Sequence, residues 1–128
     1  MLAAAPNSCA IRRTVAEYDN TLFSAITHNL APLHLDEEYS KTTMYGARII
    51  NSMFTLALVV GLSVGDTTLG TTVGNLGFEK IDFPSPVFVG DTITVETTVL
   101  EARRSKSRPG LRPAPVRRHP AVRDVGCR

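Results

Sequence analysis

Apolar positions change period along this chain, and each change predicts a new element. Val15, Tyr18, Leu22, Phe23 and Ile26 recur at three- and four-residue spacing, which predicts a helix from about Val15 to about Thr27. Thr14 and Glu17, three apart at the head of that run, have the spacing of a capping box. Pro32 disfavours helix for the residue before it, so the segment holding Asn29 and His34 reads as a turn. Asp36 can cap a short helix through Tyr39 to Thr42, and Gly46 interrupts ahead of the next element. From Ile49 to Ser63 the sequence IINSMFTLALVVGLS is apolar all round, the mark of a helix covered on every side by other structure. Its polar residues Asn51, Ser52 and Thr55 gather at the N-terminal end, where unpaired N–H groups and the positive end of the helix dipole point.

Past a Gly/Thr-rich loop from Gly65 to Gly70, two strand-like segments follow. Thr72 to Phe83 alternates imperfectly, and Thr92 to Ala102 is β-branched, with Ile93, Val95 and Val99 favouring one face. Pro84, Pro86, Gly90 and Asp91 supply a tight connection between them. Two strands beside an apolar helix suggest a curved antiparallel sheet wrapped around it, although a stable sheet generally needs three or more.

The 128 residues, 43% of them apolar, suffice for one domain with a real core. The net charge of +2 hides a division. Up to Ala102 there are five Lys/Arg against eleven Asp/Glu, whereas Arg103 to Arg128 holds nine basic residues against Asp124 alone. The basic segment also has four of the eight prolines and no aromatic residue, a composition that should not pack. The expected organisation is therefore an arm over 1–13, a folded domain over 14–108, and an irregular Pro/Arg-rich tail over 109–128. Cys9 and Cys127 make neither a disulfide framework nor a metal quartet, so a reducing, cytoplasmic setting is the default. The first residues carry positive charge after a short apolar stretch, the wrong order for a secretory signal. The apolar run from Met53 to Val64 falls short of the roughly 20 residues a membrane helix needs.

The segment THNLAPLHLD places Asn29 and His34 about a proline turn, a candidate acid/base corner for thioester chemistry. The competing reading is structural, with Asn29 capping a turn and His34 a satisfied, half-buried histidine. Three stretches, RTVAEYDNTLFSAITHNLAPLHLD, YGARIINSMFTLALVVGLS and FPSPVFVGDTITVETTVLEARRSKSRP, together resemble the MaoC-like dehydratases, relatives of the (R)-specific enoyl-CoA hydratases. The wording looks closest to the mesaconyl-CoA hydratase-like branch, and the resemblance runs from about Arg13 to Pro109.

It implies an α+β hot-dog fold, an antiparallel sheet around a long central helix, assembled as a dimer or tandem pair. It implies a lyase acting on a 2-enoyl or branched dicarboxylic CoA thioester, without a cofactor. Two positions depart from the pattern. Asn29 stands where the hydratase motif has Asp, with Ala31 at that motif's Asn, and Asn51-Ser52 replaces the His-Gly that commonly opens the central helix. Nothing after Pro109 resembles the family's final two strands. GLRPAPVRRHPAVRDVGCR reads either as a shifted frame of GC-rich DNA or as a genuine basic tail.

Hydration requires a base for water, an acid for the α carbon, and N–H donors for the thioester oxygen. His34 is the candidate for proton transfer, since an unperturbed imidazole titrates near pH ~6.5. The amide oxygen of Asn29 can hold water for it. Backbone N–H groups near Asn51 and Ser52 can form an oxyanion hole, although the Ser52 hydroxyl can equally cap or pack. Arg48 is either a contact for a CoA phosphate or a solvated arginine. His28 should face solvent, and Asp91 should fix its turn. GDTTLGTTVG lacks the lysine and spacing of a phosphate loop, and no cluster suits zinc or iron. The alternatives are a hot-dog acyl-CoA thioesterase and a non-catalytic acyl-CoA-binding or dimerisation subunit. A nucleic-acid role for the tail is weaker, for want of stacking aromatics or a binding fold.

Overall fold

The computed structural model describes residues 11–70, 74–75, 77–98 and 123–124. Strand β1 (Ile11–Thr14) pairs antiparallel with β2 (Thr92–Val95), Ile11 opposite Val95 and Thr14 opposite Thr92. On the other edge of β2 lies β3 (Arg123–Asp124), also antiparallel. The sheet order is β1-β2-β3. Ile11–Arg13, expected in an arm, belong to a strand, and two residues of the expected tail form another. The remaining residues of both segments, and Val99, lie outside the described residues. The strand expected from Thr72 to Phe83 does not form over 77–83. Gly77 at φ +143° interrupts the extended run that the imperfect alternation suggested. The other expected strand is shortened to Thr92–Val95 among the described residues.

Period-two alternation along β2 turns Ile93 and Val95 inward, where both are buried. They meet helix α4 (Ser52–Thr67), which packs against β1, β2 and the first helix. Val15, Ile50, Val59, Ile93 and Val95 form the core, with Phe54, Leu58, Leu62 and Val87 half-buried around it. The buried face of α4 is the single stripe Thr55, Val59 and Ser63, in line with its cap Asn51, whereas Met53 is 49% exposed. Among the described residues the helix is thus buried along one face and not on every side: the described strands are two of four residues and one of two. It also starts three residues later than expected and runs four further. Asn51, with ψ 124°, stays outside it, and its Oδ1 accepts the Met53 N–H at 3.0 Å as the N-cap.

Helix α1 (Glu17–Ile26) begins after Ala16, whose N–H is accepted by Asp19 Oδ2 at 2.9 Å. The expected Thr14–Glu17 capping box is not used. Thr14 ends β1 instead, its hydroxyl 2.8 Å from that of Thr92, and Asp19 takes over the reciprocal half. The apolar stripe Tyr18, Leu22 and Ile26 faces outward, each at least 60% exposed, while Asp19, Asn20 and Ser24 are buried. Two of these polar residues have fixed partners. Asp19 is ion-paired to Arg13, whose guanidinium also sits 5.9 Å from the Phe54 ring centre. Asn20 belongs to the network described below. His28, with φ +56° and exposed, ends the helix in a left-handed conformation, its N–H donating to Ala25 O.

The turn before β2 forms as expected. Phe88 N–H donates to Asp91 Oδ2 at 2.8 Å, and Gly90 takes φ +93°, which glycine adopts without strain. Val15 and this turn exchange two backbone hydrogen bonds, Val15 N–H to Asp91 O and Gly90 N–H to Val15 O, both 2.8 Å. The exit of β1 is thereby tied to the entry of β2.

Candidate active site

Pro32 opens a single helical turn, α2 (Pro32–Leu35), because its fixed φ suits the first helical position and its missing N–H costs nothing there. His34 therefore lies in a helical turn rather than in the irregular turn expected. Asp36 then caps α3 (Glu37–Lys41), accepting the Tyr39 N–H at 2.9 Å as anticipated. Within α2 the half-buried His34 places Nδ1 2.9 Å from the carbonyl oxygen of Ile49. A carbonyl only accepts, so Nδ1 must carry the hydrogen. In the neutral ring Nε2 is then left with its lone pair.

Asn20, buried in the middle of α1, holds the surroundings of that bond. Its Nδ2 donates to His34 O at 2.8 Å and to Ile49 O at 3.2 Å, and its Oδ1 accepts the Asn51 N–H at 2.9 Å. The amide orientation is unambiguous, because reversing it would set its oxygen against two carbonyl oxygens. Sequence reasoning passed over Asn20. The available signal was an asparagine in mid-helix, where its side chain ordinarily competes with the helix unless it bonds elsewhere.

Beside the start of α4, a cavity of about 90 Å³ is lined by Ile49, Ser52 and Thr55 on one side and Phe83, Pro84 and Pro86 on another. Of the two N–H groups expected to form an oxyanion hole, that of Asn51 is already taken by Asn20. The N–H of Ser52, the first residue of α4, makes no hydrogen bond among the described residues, and Ser52 lines the cavity. Asn29 is exposed in the loop between α1 and α2 and is not hydrogen-bonded to His34. Arg48, expected as a phosphate contact or a solvated arginine, is held between two carboxylates. Nη2 donates to Glu17 Oε1 at 2.7 Å and Nε to Glu37 Oε2 at 2.8 Å, and these bonds, that to Glu17 first, raise its pKa above the usual guanidinium value. The described residues contain no group of three His, Cys, Asp or Glu able to hold a metal, and no helix among them is long and apolar enough to cross a membrane.

The family profile described as "MaoC like domain" matches residues 5–111. This chain belongs to the MaoC-like domain family. The MaoC-like chain is 36% identical over 84 residues to an (R)-specific enoyl-CoA hydratase of Aeromonas caviae, 66% of this chain and 61% of the relative. It is 29% identical over 98 residues to a mesaconyl-CoA hydratase of Cereibacter sphaeroides, 77% of this chain and 28% of the relative. Among solved structures, the unliganded R-hydratase PhaJ1 from Pseudomonas aeruginosa aligns with a TM-score of 0.63 at 31% identity, covering 78% of this chain and 62% of that one. The MaoC-like fold is thus the hot-dog arrangement, here an antiparallel sheet against the central helix α4. The chain spans about three-fifths of the length of the (R)-specific hydratases it matches.

Proposed function

We propose that this chain adds water to, or removes it from, a 2-enoyl thioester of coenzyme A. The observation that carries this reading is the bond from His34 Nδ1–H to Ile49 O, which leaves Nε2 a proton acceptor while Ile49 itself lines the cavity at the start of α4. In the hydration direction Nε2 takes a proton from water and the hydroxide oxygen bonds to C3. The π pair moves toward the thioester, where the Ser52 N–H and the helix dipole meet the enolate oxygen. The imidazolium then returns the proton to C2. H and OH have been added and the histidine ends neutral. Asn29, exposed in this chain, would hold the water through its amide oxygen once substrate covers its loop.

The finer proposals are a branched dicarboxylic acyl group, supported by the mesaconyl-CoA hydratase relative, and a homodimer in a cytoplasmic setting. Pairing is supported by the half-covered α4, with Met53 49% exposed. Incubating the purified chain with a straight-chain 2-enoyl-CoA and with mesaconyl-CoA tests the reaction. Loss of enoyl-thioester absorbance without free thiol is expected. Release of free coenzyme A would instead mark a thioesterase, and binding without turnover a non-catalytic subunit.

A further inference from the structure

We infer that Asn20 is a positioning residue: by bridging the carbonyls of His34 and Ile49 and holding the N–H of Asn51, it fixes the His34 ring in its Nδ1–H form beside the start of α4. The consequence for catalysis rests on the hydration reading above, whereas the ring tautomer can be measured without it.

The geometry leaves the side chain no spare hydrogen. Both amide hydrogens of Asn20 are spent on carbonyl oxygens, and Ile49 O receives two donors, Asn20 Nδ2 and His34 Nδ1. One NH2 group therefore sets the spacing between the backbone of α2 and the carbonyl to which the His34 ring is bonded. If it were removed, only the bond from Ile49 N–H to Leu33 O would still join α2 to residue 49, and that bond does not orient the ring, which would revert to the tautomer mixture of an unconstrained imidazole. The Asn20 oxygen acts at the same time on α4. By taking the Asn51 N–H it ties the helix entrance to α1, and the next residue, Ser52, whose N–H has no partner among the described residues, lines the cavity. Asn20 is 2% exposed and does not line the cavity, so it acts through His34 and Ser52 and not on substrate. Leu33 reinforces the junction, its carbonyl accepting from Ile49 N–H at 3.3 Å and from the hydroxyl of the buried Ser40 at 3.2 Å. Neither of these bonds touches the ring.

The test is nitrogen NMR of the full chain above neutral pH, with the His34 ring signals identified by their loss in His34→Gln. In the unmodified chain Nδ1 should be protonated and Nε2 bare, and the Asn51 amide should exchange slowly with solvent. An Nε2–H ring or a promptly exchanging Asn51 amide would overturn the inference even if no variant folds. Asn20→Leu matches the volume without polar atoms, and Asn20→Asp keeps the shape without the amide hydrogens. Either, once folded, should show mixed tautomers and a kcat lowered about 10²-fold with KM little changed, the scale of a small misplacement of a reacting group. A folded variant that keeps a pure Nδ1–H ring and parental kcat refutes the role. Should the parent fail to hydrate any enoyl-CoA yet show the expected ring and its loss in the variants, the hydration reading falls and the positioning of His34 by Asn20 stands.

Discussion

Arg48 and Glu17 meet across 31 positions of sequence, Nη2 to Oε1 at 2.7 Å, and the same guanidinium holds Glu37 through Nε. Three segments, α1, α3 and the approach to α4, are joined by one planar group with donors in two directions. A lysine ammonium is a point charge that cannot reproduce this fork. Arg48→Lys should therefore destabilise the chain, by about 0.5–1 kcal/mol because both carboxylates are largely exposed. The loss should shrink in high salt, which screens exposed pairs. Since the carboxylates raise the Arg48 pKa, its contribution is fully present below the unfolded guanidinium pKa and would fade only as pH rises through the higher folded value. Urea melts of both proteins at low and high salt check the magnitude, and equal midpoints at low salt would show the clamp to be idle.

His34 and Asn29 share the candidate acid/base corner but differ in how they are held. His34 is half-buried and tied to Ile49, whereas Asn29 is exposed. His34→Ala should lower kcat for enoyl-CoA hydration about 10²-fold or more, the usual contribution of a general acid/base. Asn29→Asp should retain hydratase activity, since it restores the hydratase pattern at the same volume. It should also change folding stability by less than about 0.5 kcal/mol, as exposed substitutions do. Steady-state kinetics with matched melts checks both, and a folded His34→Ala with undiminished turnover would remove His34 from the mechanism.

How much of this was legible in the sequence depended on whether a signal was local. The Asp36 cap, the Asp91 turn and the apolar character of α4 are short-range features, and all three appear in the fold. The outward turn of Tyr18, Leu22 and Ile26 was not legible, because periodicity reveals that a stripe exists without saying which side the core takes. Here the buried side of α1 is polar, and its bonds run to Arg13, His34, Ile49 and Asn51. The carboxylate partners of Arg48 were hidden for the same reason, since Glu17 lies 31 positions away. For the site, sequence pattern singled out His34, Asn51 and Ser52 but not Asn20, the asparagine that bonds the first two.

Core truncations should rank by depth and not by apolar character alone. Ile93 is 2% exposed between α4 and the sheet, whereas Leu58 is only half-buried against the same cluster. Ile93→Ala should cost about 2–5 kcal/mol, and Leu58→Ala less, because part of the space it vacates is open to solvent. Denaturant titration of the two variants checks the order. An equal or larger loss for Leu58→Ala would indicate that another surface covers that flank of α4 in solution.

The Ser52 N–H can be deleted without dismantling its helix. Ser52 is the first residue of α4, where proline is well tolerated because its N–H has no partner within the helix. The preceding residue, Asn51, already has φ −59° and ψ 124°, in the extended region that a following proline favours. Ser52→Pro should therefore fold with α4 intact while losing both the hydroxyl and the N–H, and Ser52→Ala loses the hydroxyl alone. If the N–H meets the enolate oxygen, the proline variant should lose about 10²–10³-fold in kcat, the cost of one oxyanion donor, and the alanine variant should stay near the parent. Circular dichroism establishes that the helix stands, and kinetics on one enoyl-CoA then separates the two groups. Equal activity in folded Ser52→Pro would place the oxyanion donor elsewhere, whereas an equal loss in Ser52→Ala would assign the work to the hydroxyl.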